Sequence, residues 1–225
     1  MAHLPSLFGL YGGMDRAAIW KTVHDERRAL VRDLEGLSDE DWTRDSWAAG
    51  WTIADVVAHL VDSNTTTRWG FVKGFVAARG DFDAQNQKGL ERERRFEHRD
   101  LLGAFRSTIE MKASPPVDLR SRLVEEVAHG EDIRRPLGLK REYPLAVVVP
   151  GLQYLAATPV GLGGGRSIAE GLTLVATDAG LKRGSGPEVH GSALSLLLAL
   201  SGRRIHESKV SGPGRAELLS RVTPH

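Results

Sequence analysis

The chain has 225 residues, 41% apolar and 26% charged: long enough for a sizeable core, a little low in apolar residues, and too ordinary in charge for wholesale disorder. Lys and Arg number 30 against 29 Asp and Glu, a net charge of +1 that argues against a dedicated nucleic-acid binder. Cysteine is absent, which excludes a disulfide scaffold, a thiolate zinc site and a Cys nucleophile. Thiol chemistry here needs a thiol from outside the chain.

No apolar run approaches the ~20 residues of a membrane helix; the most apolar stretches, Leu145–Val149 and Leu194–Leu200, are core-sized. Met1–Gly12 shows neither a basic n-region nor an apolar h-region, so no signal peptide is expected and a cytoplasmic location is. Met14 stands beside Asp15, where a helix should begin, and residues 1–13 read as an extension without a role in the fold.

The first half reads helical. Asp15 caps a helix to about Glu35, with Ile19, Val23, Leu30 and Leu34 at helical intervals and Gly36 as its stop. Ser38-Asp39-Glu40-Asp41 resembles a capping box. Thr52 caps the second helix, with Asp55 three residues on and the apolar stripe Ile53, Val56, Val57, Leu60, Val61; it is expected to run to about Ala78. A third helix is expected over about Asp83 to Ala113, with the charged stretch Glu91–Arg99 as a solvated face. Pro115-Pro116 break the chain, and a fourth helix covers about Val117 to Arg135. Four helices with short loops predict a four-helix bundle.

The second half changes character. Leu145–Leu155 reads as one more helix packed on the bundle, and residues 158–165, Thr-Pro-Val-Gly-Leu-Gly-Gly-Gly, as a flexible linker rather than a phosphate loop. Strands are expected at Leu172–Thr177, Leu181–Arg183, Glu188–Gly191 and about Glu207–Val210, the first two joined by Asp178-Ala179-Gly180. Helices are expected at Ser192–Leu200 and Arg215–Arg221. The fold class is α+β: a bundle over residues 14–157, then a small C-terminal domain over 166–225.

Three residues stand out chemically. His59 lies within the apolar stripe of the second helix. Glu125 and His129, four apart on the fourth helix, share a face. In a bundle such a pair meets a third ligand from a facing helix, and His59 is the natural one. Two His and a carboxylate leave a divalent ion with open positions, as in catalytic centres. Zinc is the first choice; iron, nickel and manganese suit the same ligands. Buried, structurally satisfied histidines are the alternative. Glu126 competes with Glu125, and Asp132 either orients His129 or pairs with Arg135. His24 reads as exposed, His190 and His206 as surface residues. Trp42, Trp47 and Trp51 read as sealing the bundle's end rather than lining a site.

Gly-Trp-Thr-Ile-Ala-Asp-Val-Val-Ala-His-Leu (50–60), after Leu-Ser-Asp-Glu-Asp-Trp (37–42), resembles the entry to the second helix of DinB-like metal-binding bundles. Glu-Glu-Val-Ala-His-Gly-Glu-Asp-Ile-Arg-Arg-Pro-Leu-Gly (125–138) resembles the mycothiol-dependent maleylpyruvate isomerase family. So do Gly-Ser-Gly-Pro-Glu-Val-His-Gly (184–191), Leu-Leu-Leu-Ala-Leu-Ser-Gly-Arg (196–203) and Ser-Gly-Pro-Gly (211–214). The resemblance covers roughly residues 14–222. It implies a DinB-like four-helix bundle followed by a small α/β C-terminal domain. It further implies zinc held by His59, Glu125 and His129, and an active-site arginine that falls on Arg203, with Arg204 beside it. Asp83 and Asn86 are implied to face the cleft as cofactor-binding residues. The implied cosubstrate is mycothiol, a low-molecular-weight thiol of actinobacteria, which suits a chain without cysteine.

The function expected from this is a mycothiol-dependent zinc enzyme, S-transferase or isomerase. Zinc holds the thiol as thiolate, the thiolate attacks a small electrophile, and Arg203 binds a substrate carboxylate. The alternatives are a thiol-independent metal-dependent hydrolase on the same bundle, and a non-catalytic metal-binding or regulatory module. In the helical half no arginine cluster for a carboxylate is evident, Arg68 and Arg79 reading as surface. Monomer and homodimer are both compatible; neither nucleic acid nor membrane is an expected partner.

Overall fold

The computed structural model describes residues 14–66 and 98–222. The described residues divide into two compact units, one within Trp20–Arg141, the other from Glu142 onward together with residues 14–19. Asp83, Asn86, Arg68 and Arg79 lie outside the described residues, as does the expected third helix before residue 98.

Helix α1 covers Arg16–Glu35. The Asp15 carboxylate accepts from the Ala18 amide at 2.7 Å, satisfying one of the first-turn donors that lack a partner within the helix. A short helix α2, Asp39–Thr43, begins with a complete Ser38/Asp41 capping box and buries Trp42. Helix α3, Ile53–Thr65, begins with a second box: Thr52 accepts from the Asp55 amide, and Asp55 accepts from the Thr52 amide. It ends at Thr65, with Thr66 in extended conformation, and residues 67–78 of the expected helix lie outside the described residues. Thr65 Oγ1 donates to the Val61 carbonyl at 2.9 Å and Thr66 Oγ1 to the Asp62 carbonyl at 2.8 Å. These hydroxyls take up terminal carbonyls while β-branched side chains resist further winding.

Helix α4, His98–Ser107, gives way to turns before Ala113, and α5 covers Ser121–Arg134. The core joins Leu30 and Leu34 of α1 to Ile53, Val56, Val57 and Leu60 of α3, Leu101 and Phe105 of α4, and Ile133 of α5. Four helices sharing one apolar centre make this unit a bundle.

The second unit opens with α6, Leu145–Ala157, which packs on α8, Ala193–Leu200. Both are apolar almost all round, and such helices require burial on every side. The expected helix forms, and within this unit it packs on α8. Between α6 and the short α7, Arg166–Ala169, the Gly-rich run is an ordered turn rather than a flexible linker. Val160–Leu162 form a 3-10 turn, Tyr154 Oη donates to the Leu162 carbonyl at 2.8 Å, and the Gly165 amide donates to the Leu155 carbonyl at 2.9 Å. A Cβ at Gly164 would stand 2.0 Å from the Thr158 carbonyl oxygen, and one at Gly165 2.1 Å from that of Leu200. These glycines permit close backbone approach.

Strands β1 (Thr173–Ala176), β2 (Leu181–Gly184), β3 (Glu188–Gly191) and β4 (Val210–Ser211) form one sheet in the order β2-β1-β3-β4. β1 is antiparallel to β2 and parallel to β3; β3 is antiparallel to β4. Glu207–Lys209, expected as strand, form a 3-10 turn whose Ser208 amide donates to His206 Nδ1 at 3.2 Å. Helix α9, Arg215–Arg221, closes the unit. The molecule is α+β, mostly helical with one small sheet.

Candidate functional site

His59 projects from the middle of α3, flanked by side chains buried in the core. Its position follows from the Thr52/Asp55 box: the box fixes where the helix begins, and the 3.6-residue period then sets which face each residue takes. Helix α5 is buried along most of its length, yet Glu125 and His129 each keep 16% of their side chain accessible. A carboxylate and an imidazole thus share a strip of α5 that solvent can reach.

The two helices bring the three side chains together. His59 Nε2 lies 3.6 Å from Glu125 Oε1, and the His59 and His129 rings meet edge-on at 4.7 Å between centroids. His129 Nδ1 lies 3.0 Å from Asp132 Oδ2, and Asp132 is wholly buried. A carboxylate only accepts hydrogen bonds, so the pairing puts the ring proton on Nδ1 and the lone pair on Nε2. Arg135 Nε donates to Glu131 Oε2 at 2.7 Å.

Glu126, the competitor of Glu125, is engaged elsewhere. Its Oε1 accepts from Arg27 Nε at 2.8 Å, and both side chains are almost fully buried. Arg27 also donates to the carbonyls of Thr108 and Met111 and to Asn64 Oδ1. This network leaves Glu125 as the carboxylate facing the histidines.

Three further participants escaped the sequence reading. Trp51 lies parallel to His129, with 6.4 Å between ring centroids, and at 5.2 Å from His59. Its loop is pinned by the Ser46 amide donating to the Trp51 carbonyl at 2.8 Å and the Trp47 amide to the Asp132 carbonyl at 2.9 Å. Trp51 is therefore a wall of the site; Trp42 is core, and Trp47 lies under the Arg135 guanidinium at 4.1 Å. Ser63, one turn after His59, donates to Glu125 Oε1. Arg122, one turn before Glu125, pairs with Glu125 Oε2 and donates to Ser63 Oγ at 3.1 Å from each terminal nitrogen. The helical half therefore does direct an arginine at the site. Burial pulls the Arg122 pKa down to about 10, opposed by Glu126 and aided by Arg27, so the group stays cationic at neutral pH. The signal was present in the sequence: Ser63 and Arg122 sit at i+4 and i−3 from two of the residues singled out.

Among the described residues, no three His, Asp or Glu side chains stand as a metal-ligand cluster. The three groups face one another with the Glu125 carboxylate held by Arg122 and Ser63. Their donor chemistry nevertheless fits a divalent ion: two imidazoles, one with its tautomer set by a buried carboxylate, and a carboxylate oxygen directed at a ring nitrogen.

In the second unit, Arg203 is part-buried, and its Nη1 donates to the Ser201 carbonyl at 2.8 Å; Arg204 is exposed. His190 is half-exposed and pairs with Glu188 at 2.8 Å, and His206 is exposed. His24, expected at the surface, is buried, with Nδ1 3.0 Å from Glu110 Oε2 and its ring 5.8 Å from that of Trp20.

Residues 23–113 match the family described as the mycothiol maleylpyruvate isomerase N-terminal domain. The match spans less than half of the chain. The match includes His59 and Trp51; Glu125 and His129 lie beyond its end. Among solved structures, the chain resembles a crystal structure of the mycothiol-dependent maleylpyruvate isomerase, with TM-score 0.62 and 13% identity over 89% of this chain and 93% of that one. A structure of a histidine-to-alanine mutant of the same enzyme gives the same values. At that identity the likeness shows the fold, which extends through the small C-terminal unit. No curated protein sequence matches the chain.

Proposed function

We propose that this chain is a mycothiol-dependent zinc enzyme, an isomerase or S-transferase acting on a small electrophile. The observation that carries the reading is the meeting of His59, Glu125 and His129 on a solvent-reachable strip between α3 and α5, with Asp132 behind His129. The domain family and the absence of cysteine support an external thiol.

His59 and His129 would each supply a ring nitrogen and Glu125 a carboxylate oxygen. Bound there, a zinc ion supplies Lewis acidity that lowers the pKa of a thiol. Asp132 holds the proton of His129 on Nδ1 and so presents Nε2. Trp51 stands against both rings, parallel to His129 and tilted to His59, and would limit their movement. Arg203 would bind a carboxylate of the electrophile, for which a guanidinium offers paired donors. In an isomerase the thiolate sulfur bonds to one carbon of a cis double bond, the remaining single bond rotates, and loss of the thiolate restores the double bond as trans. In a transferase the new carbon–sulfur bond is kept.

The test is calorimetric titration of mycothiol into zinc-loaded and chelator-treated protein. Saturable binding that requires the metal is the expected result. Metal uptake with no affinity for the thiol would overturn the thiol dependence and favour a hydrolytic centre.

A further inference from the structure

Arg122 is 1% exposed, and its guanidinium pairs with the Glu125 carboxylate. One terminal nitrogen meets Glu125 Oε2; both reach Ser63 Oγ, and Nη2 also lies 3.4 Å from Asn64 Oδ1. Ser63 in turn donates to Glu125 Oε1. Asn64 is anchored from its other side by Arg27, which donates to the same Oδ1 at 2.6 Å, and by Thr108 Oγ1, which accepts from its Nδ2 at 3.0 Å. The cation is thus fixed in place by burial and by a network spanning α1, α3 and α5. Glu126, the other carboxylate of the network, is taken by Arg27.

We infer that Arg122 is a positioning residue that reserves Glu125 Oε2 and partly neutralises the carboxylate, so that Glu125 offers a metal one oxygen, Oε1, at reduced negative charge. This rests on the metal reading above and extends it. Two consequences follow from elementary electrostatics. A fixed cation beside a ligand carboxylate weakens the hold on a divalent ion. It also leaves the centre more positive, which favours an anionic ligand such as a thiolate at the open position. A carboxylate relieved of this partner can bind through both oxygens, as carboxylate ligands of metals do elsewhere.

The experiment titrates cobalt(II) alone into metal-free wild type, Arg122→Gln and Arg122→Lys, reading affinity and the visible d–d absorption. That absorption is intense for four-coordinate cobalt and weaker at higher coordination. Arg122→Gln should bind cobalt about tenfold more tightly, an effect the size of a one-unit pKa shift from a neighbouring charge, and with a weaker band. Arg122→Lys keeps the charge and should restore the wild-type band and affinity. Arg122→Met fills a similar volume without charge or donors and carries the same prediction as Arg122→Gln should that variant fail to fold. A purely structural role gives the opposite pattern: equal or weaker binding in Arg122→Gln with an unchanged band, which would overturn the inference. Wild type that binds no cobalt would instead overturn the metal reading on which it stands.

Discussion

His129 and Asp132 sit one turn apart on α5 with Nδ1 and Oδ2 separated by 3.0 Å, and the carboxylate is wholly buried while the ring is not. A buried charge of this kind needs a partner, and the ring that partners it is thereby fixed in tautomer and direction. Asp132→Asn keeps the shape but no longer requires the proton on Nδ1. Metal affinity should fall about 10- to 100-fold, as for other residues that orient a ligand, in a chelator-competition titration. Unchanged affinity would mean that the ring is held by Trp51 alone.

The Arg27–Glu126 pair separates structural from site acidity. Both side chains are buried, and the pair ties α1 to α5. Arg27→Met leaves a charge buried without its partner and should cost about 3–5 kcal/mol in denaturant melts. Glu126→Gln should lower stability while metal stoichiometry stays at the wild-type value; Glu125→Gln should lose the metal.

In the turn between α6 and α7, Gly165→Ala places a methyl group against the Leu200 carbonyl, where a Cβ would stand at 2.1 Å. Overpacking of this kind should cost at least about 2 kcal/mol. Gly161, in the same turn, has nothing within 4 Å of a Cβ, so Gly161→Ala should melt like wild type. Equal melting temperatures for the two variants would show that the turn is a loose linker after all.

His24 gives the fold a pH dependence of definite sign. Burial lowers its pKa; Glu110 opposes this, while Arg27, Lys112 and Arg28 add to it. The unfolded chain therefore takes up a proton at a higher pH than the folded one. This contribution to stability is fully present above the unfolded value of about 6.5 and is lost as pH falls through the folded pKa. Replacing His24 by Gln should flatten the stability profile below pH 6.5, measured by denaturant melts across a pH series. An unaltered slope would contradict the assignment.

Local chemistry was legible in the sequence and long-range pairing was not. The Ser38/Asp41 and Thr52/Asp55 boxes lie within four-residue windows, and both formed as read. The Glu125–His129 spacing specifies a shared helix face without reference to the rest of the chain. Choosing Glu125 over Glu126 required Arg27 on another helix, and the burial of His24 required Glu110. The Gly-rich run looked flexible because composition does not reveal that Thr158 and Leu200 press on Gly164 and Gly165. At the end of α3 the Thr65 and Thr66 hydroxyls add bonds to the Val61 and Asp62 carbonyls, local contacts that apolar periodicity cannot register.

The central claim is that His59, Glu125 and His129 hold one catalytic metal. It is tested most directly by elemental mass spectrometry of the purified protein, wild type beside His129→Ala, with circular dichroism confirming that both are folded. The account predicts about one zinc per chain in wild type, as expected of a three-ligand catalytic site, and its loss in the variant. A folded wild type that takes up no metal when supplied with zinc would contradict it and leave His59 and His129 as histidines that only pack against Trp51.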